Sequence, residues 1–209
     1  MQKQFRLLEA AALLAMGLCV LFSLLSFGNA ADRVRGSVLR LHVVANSDSA
    51  ADQALKLRVR DALLKKSGVF AAAKTKQQAE QALKESLPLF QKTARQVVQE
   101  QGFPYDVRVS LARTQFPTRT YGSYTLPAGT YDALRVVIGT GSGHNWWCVM
   151  FPPLCLPAAC KGAALQDVLS EEALTLMQQE PQYEVRFWLL EQWEKVKERF
   201  SRQSTVIRH

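Results

Sequence analysis

The chain is short of the residues on which small catalytic and metal centres depend. It holds three histidines and four cysteines among 209 residues. The cysteines, at positions 19, 148, 155 and 160, do not form the paired C-x-x-C knuckles of a structural zinc site. Acidic residues are also scarce, 18 against 26 Lys and Arg, which gives a formal charge of +8. That excess suits an anionic surface such as a membrane or cell wall, and equally suits plain solvation. No run of Lys and Arg interleaved with aromatics points to nucleic acid. The glycine-rich stretch Gly139-Thr140-Gly141-Ser142-Gly143 lacks the lysine and following helix that hold a phosphate, so it reads as a loop. No cofactor is implied. Apolar residues are not lacking: at 48% hydrophobic the chain can fill the core of one domain of ordinary size, which argues against disorder.

The N-terminus carries the clearest local signal. Lys3 and Arg6 precede an apolar run from Leu7 to Phe27, broken only by Glu9 and small residues, and Gly28-Asn29-Ala30 places small side chains where signal peptidase needs them. Residues 1–30 are therefore expected to be a signal peptide, or an uncleaved anchor, since the run approaches the length that spans a bilayer. Either form exports the remainder of the chain. Residues 31–160 are expected to form the domain, with Ala31–Ser37 as a short charged joint, and 161–209 a helical tail.

Within the domain, Val38–Ala45 alternates: Leu39, Leu41 and Val43 share the core face, Arg40 and His42 the other. His42 has no acidic or cysteine neighbour in sequence and reads as an ordinary strand histidine. Asn46 to Ser49 is turn chemistry, and Ser49 with Asp52 predicts a capping box opening a helix with Leu55, Val59, Ala62 and Leu63 as its stripe. Ala71–Gln101 is helix-forming, with a kink or break expected at Pro88. Tyr105–Leu111, Phe116–Thr125 and Tyr131–Ile138 read as strands. The order β-α-α-β-β-β lacks helical crossovers between its later strands, so the predicted fold class is α+β: a small, mainly antiparallel sheet with helices on one face. Beyond it, Ala163–Gln179 is moderately helical, and Val185, Trp188, Leu189, Trp193, Val196 and Phe200 predict a C-terminal amphipathic helix.

The densest stretch is Tyr131–Cys155, where a core strand delivers the glycine turn and then Asn145, Trp146, Trp147, Met150 and Phe151, followed by Pro152 and Pro153. The two prolines remove backbone donors, so the segment after Gly143 is read as a stiff aromatic loop and not as a helix or central strand. Such a loop either plugs the core or serves as a contact surface rich in hot-spot residues. Chemistry there is disfavoured on several counts. Cys148 with His144 four residues away lacks an orienting carboxylate in sequence, and against metal binding by His144, Cys148, Cys155 and Cys160, export favours oxidation of the cysteines over thiolate ligation. Catalytic and metal residues are thus expected to be absent. An oxidising compartment and the turn at the prolines predict a disulfide between Cys148 and Cys155, with Cys160 free, an alternative partner, or a link to another molecule.

Four stretches carry a resemblance. N-W-W-C-V-M-F-P-P-L-C at Asn145–Cys155, F-P-T-R-T-Y-G at Phe116–Gly122, L-P-A-G-T-Y at Leu126–Tyr131 and V-L-R-L-H-V-V-A-N-S-D-S at Val38–Ser49 closely resemble the stage II sporulation protein R family, in matching order from about Arg33 to Cys155. The resemblance implies a signalling protein without chemistry of its own, exported from the forespore into the intermembrane space. Its implied partner is a membrane-embedded aspartic protease, whose activation leads to cleavage of the pro-sequence of the early mother-cell sigma factor. The rival reading is an extracytoplasmic hydrolase or wall-binding module using the glycine-rich and Trp-Trp-Cys stretch. Candidate partner-binding residues are Asn145, Trp146, Trp147, Phe151, Pro152 and Pro153, with Arg119 and Tyr121 of the upstream stretch. Replacing Leu13, Leu14, Leu21 and Leu24 by charged residues is expected to retain the chain in the cytoplasm of an expressing cell; fractionation that finds the variant still exported would contradict the leader assignment.

Overall fold

The computed structural model describes residues 2–121 and 124–152, together with Met177 and Gln192. Helix α1 spans Gln2–Ser37, strand β1 Leu39–Val44, helix α2 Ala50–Leu64 and helix α3 Lys76–Glu100, with a 3-10 turn at Ser67–Phe70 before α3. Strands β2 (Val107–Phe116), β3 (Arg119–Tyr121), β4 (Tyr124–Leu126), β5 (Gly129–Ile138) and β6 (Asn145–Phe151) follow. The expected tail helices and Pro153, Cys155 and Cys160 lie outside the described residues.

The class is α+β, and the sheet, with two of its three pairs antiparallel, is mixed. Its order is β2-β5-β1-β6, with β1 parallel to β5 at its centre and antiparallel pairs at both edges. The two helices between β1 and β2 return the chain so that β2 runs opposite to β1. The β2–β5 pair then lays β5 beside β1 in parallel, with β3 and β4 as a small separate hairpin inside that connection. The expected strand over Phe116–Thr125 is divided between the end of β2 and this hairpin.

Alternation sorts the sheet's side chains onto two cores. Leu39, Leu41 and Val43 of β1, Leu134, Val136 and Ile138 of β5, and Cys148 and Met150 of β6 meet Leu55, Val59 and Leu63 of α2 and Ala79, Leu83, Phe90, Ala94 and Val98 of α3. Burying aliphatic side chains of this size stabilises by about 1.5–3 kcal/mol each, so this face dominates the stability of the domain. The opposite face carries a smaller core of Val38, Phe116, Tyr124, Leu126, Tyr131, Ala133, Val149 and Met177. Ala31 and Val34 of α1 complete it, both fully buried. Helices therefore lie on both faces, and the expected charged joint at Ala31–Ser37 is the packed last turns of α1.

Two local expectations also change. Pro88 sits inside an unbroken α3. It is exposed, so the donor it lacks is missing on the side where water serves the freed carbonyl, while the apolar stripe holds the rest of the helix to the core. The stretch after Gly143 is a strand and not an aromatic loop: Trp146, Cys148 and Met150 alternate with Trp147 and Val149 across β6, and the two prolines fall just past its last residue. At the start of α2, Ser49 accepts from the Asp52 amide at 3.2 Å as expected. The Asp52 carboxylate does not close the box; it accepts from Ser47 Oγ at 2.6 Å and Asn46 Nδ2 at 2.9 Å.

Among the described residues no helix is long and apolar enough to cross a membrane; the signal or anchor assigned to 1–30 rests on side chains that in large part lie outside the described set. The last turns of α1 have a separate, structural use. A chain starting at residue 31 is expected to keep full stability, whereas one starting at residue 38 loses the buried Ala31 and Val34 and about 2 kcal/mol or more in urea unfolding. Equal stability of the two would show that α1 is not part of the core.

Candidate functional site

The four stretches that stand out in the sequence meet at one buried cation. Arg40, on the second face of β1, has no exposed surface. Its guanidinium lies 4.0 Å from the Phe116 ring, 4.8 Å from Tyr131 and 5.6 Å from Tyr121. Nε donates to the Cys148 carbonyl at 3.3 Å and Nη2 to the Tyr121 hydroxyl, while Nη1 has no partner among the described residues. Burial pulls the guanidinium below its ordinary pKa, and its contacts with Tyr121 and Tyr131 work against that pull. Burial likewise raises both phenols, which therefore remain protonated donors. Tyr131 donates to the Pro127 carbonyl at 2.5 Å and Tyr121 to the Trp147 carbonyl at 3.1 Å, so the cage is tied to the hairpin on one side and to β6 on the other.

Glycine is required where this frame closes. Gly129 has φ 144°, and a Cβ there would come within 2.6 Å of the Arg35 side chain, whose Nη1 donates to the Ala128 carbonyl at 2.6 Å.

Beside Arg40, His42 stacks on Trp147 with ring centroids 4.0 Å apart, and Phe116 meets Trp147 edge-on at 4.7 Å. His42 Nε2 donates to Asn145 Oδ1 at 2.7 Å. Since that oxygen only accepts, Nε2 carries the proton, and the bare Nδ1 is buried without a partner among the described residues. Burial holds the His42 pKa below its ordinary value near 6.5, and neighbouring Arg135 lowers it further against the bond to Asn145.

The candidate binding residues are thus divided. Asn145, Trp147, Tyr121 and Arg119 belong to the second face and its hairpin, with Asn145 and Arg119 exposed and Tyr121 and Trp147 half-buried. Trp146 points to the opposite face, where Arg60 lies 4.1 Å over its ring and its Nε1 is buried without a partner. Phe151 and Pro152 are buried. The sequence reading missed Arg40 and His42, whose buried charge and stacking are set by partners about a hundred residues away.

The loops at the ends of β1 and β5 form a second, polar cluster. Asn46 Oδ1 accepts from the Thr140 amide at 3.0 Å, and a Cβ at Gly139, which has φ 57°, would fall 2.3 Å from that same oxygen. Asp48 accepts from the His144 amide at 2.6 Å and from its Nδ1, and these bonds lower its pKa. The structure thus supplies His144 with the carboxylate that the sequence did not reveal. Cys148 is not a thiol that it could activate, because that cysteine is buried and disulfide-bonded. The partner of Cys148 lies outside the described residues, and Cys19 is free and exposed. Among the described residues no cluster of His, Cys, Asp and Glu could hold a metal ion.

Comparison with known proteins identifies the family. The family model described as Stage II sporulation protein R (spore_II_R) matches residues 35–161. A Bacillus subtilis (strain 168) protein, "Stage II sporulation protein R", is 36% identical over 136 residues, which are 65% of this chain and 61% of that protein. The chain thus spans about three fifths of the length of that relative. No solved structure matches.

Two outcomes follow from the cage. Tyr121→Phe strips a buried cation of a hydroxyl and is expected to cost about 1.5–3 kcal/mol in urea unfolding; a loss within error would mean that the Arg40 bond contributes nothing. For His42, the depressed folded pKa means that the unfolded chain takes up a proton first. Its contribution is complete above pH 6.5 and is lost as pH falls from there toward the lowered folded value. Melting temperature is expected to fall over that window in the wild type and to fall less in His42→Gln; parallel profiles would contradict the assignment.

Proposed function

Because the chain belongs to the stage II sporulation protein R family, we propose that it is an exported signalling protein of sporulation that activates a membrane-embedded aspartic protease. Activation leads to removal of the pro-sequence of the early mother-cell sigma factor. The chain leaves the forespore on its N-terminal segment and acts in the intermembrane space.

The observation that carries this reading is the placement of the family's own stretches. Three of them supply the rings and the carbonyl around Arg40, and the frame they make sets the exposed Asn145 and half-buried Trp147 at the surface on edge strand β6, with the Tyr121 hydroxyl bonded to the Trp147 carbonyl. A side chain selected only for the core would not need to reach that surface. Activation by binding requires that the chain favour the protease's active arrangement over its inactive one, since a ligand indifferent to the two shifts nothing. A coupling of about 1–3 kcal/mol suffices. In this reading Trp147 and Asn145 supply contact area and a polar anchor on a rigid strand, so little entropy is lost on docking.

The hydrolase reading has one observation on its side, the Asp48–His144 pair. Among the described residues that imidazole is bonded to Asp48 and to no serine or cysteine.

Co-expression with the protease and its sigma-factor substrate in a non-sporulating host, with each component omitted in turn, is expected to give processing only when all three are present. Processing without the protease would turn the assignment toward an enzyme. In the same assay Trp147→Ala is expected to weaken activation by about 2 kcal/mol or more, beyond what its loss of thermal stability explains. An activity loss that merely follows stability would return Trp147 to the core.

A further inference from the structure

We infer that the cavity between the end of α1, the start of α3 and the β2–β5 pair binds an oxyanion through Arg113. The cavity has a volume of about 320 Å³ and a polar wall: three cations, Arg35, Lys76 and Arg113, two carboxylates, Asp32 and Asp132, and Thr130 and Gly36. It borders the frame of the Arg40 cage through Arg35, which donates to the Ala128 carbonyl.

The charges are not balanced. Arg35 pairs with Asp32 at 2.8 Å and donates to the Ala128 carbonyl, and Lys76 pairs with Asp132. The Arg35 and Lys76 side chains are 10% and 12% exposed, so both are held in place and their charge is already met. Arg113 stands opposite Asp132 in the β2–β5 register, yet Asp132 is engaged by Lys76. Among the described residues no hydrogen bond or ion pair engages the exposed Arg113 guanidinium. The cavity therefore carries one unmatched positive charge on a planar group whose paired donors fit carboxylate and phosphate oxygens bidentately. A cationic ligand would meet three cations, and an apolar one would strip water from all of them without return. At this volume, near the small end of ligand sites, a small anion or the anionic end of a larger molecule fits. The shared chemistry is a small oxyanion, a carboxylate or a phosphate ester.

Gly36 offers a way to close the cavity without touching its charges. A Cβ there meets nothing within 4 Å, so a larger side chain enters open space at the cavity wall.

The test uses the full chain in nonionic detergent and Bis-Tris chloride buffer, titrated calorimetrically with sodium phosphate and, separately, sodium acetate, at ionic strength held constant with sodium chloride. Saturable binding of either probe is expected, and the probe that binds identifies the ligand as phosphate ester or carboxylate. Arg113→Gln is expected to weaken it about tenfold. Gly36→Phe is expected to abolish it while every charge remains. Binding that is unchanged in both variants, or no saturable heat with either probe, would overturn the proposal.

Discussion

Everything on the second face of the sheet depends on the compensation of one buried positive charge. Taking an ion out of water costs several kcal/mol even after the protein relaxes, and among the described residues Arg40 has no carboxylate to offset that cost. It has three aromatic rings, the Cys148 carbonyl and the Tyr121 hydroxyl. Desolvated cation–π contacts contribute about 2 kcal/mol each at best, and a hydrogen bond from a charged group about 1.5–3 kcal/mol. These terms are of the same size as the penalty, so the cage is near neutral for stability. What it supplies is geometry. Each ring and acceptor has to be in place for the charge to be tolerated, and a strand shifted by one residue would leave the guanidinium without them.

That condition links segments far apart in sequence. Tyr121 and Cys148 lie 81 and 108 positions from Arg40, and through them the hairpin, β5 and β6 are fixed relative to β1. Tyr121 passes the constraint to the Trp147 carbonyl, and His42 passes it to the Trp147 ring and to Asn145. The surface that the proposed function assigns to partner binding is thus held from beneath by polar groups with one satisfactory arrangement. The other face of the sheet, packed on α2 and α3 by aliphatic burial, supplies the bulk of the stability and is more tolerant of repacking.

This division explains what could be read in the sequence. The stripes of α2 and α3, the alternation of β1, β2 and β5, and the Ser49 cap are local patterns, and each is where its period places it. The parallel contact between β1 and β5 is not local: two helices and the β2–β5 return intervene, and no period records which strands become neighbours. The β6 strand was hidden by Pro152 and Pro153, which stop a strand but sit beyond its end. Arg40 reads as an outward polar residue, because alternation shows that it faces away from Leu41 and says nothing of what covers that side. Trp146 and Trp147 share a sequence neighbourhood but, as successive strand residues, not a face. The Asp48 partner of His144 was likewise out of reach, 96 positions away.

The most direct test of the account is a double-mutant cycle between Arg40→Met and Tyr121→Phe, measured by urea unfolding. Methionine keeps much of the volume of Arg40 and removes its charge and donors, so the cycle isolates the interaction instead of a cavity. The account predicts that the two substitutions are strongly non-additive, with a coupling of about 1 kcal/mol or more, and that once the cation is gone Tyr121→Phe costs only its bond to the Trp147 carbonyl. Additive losses would contradict it, since they would mean that the hydroxyl and the guanidinium do not depend on each other.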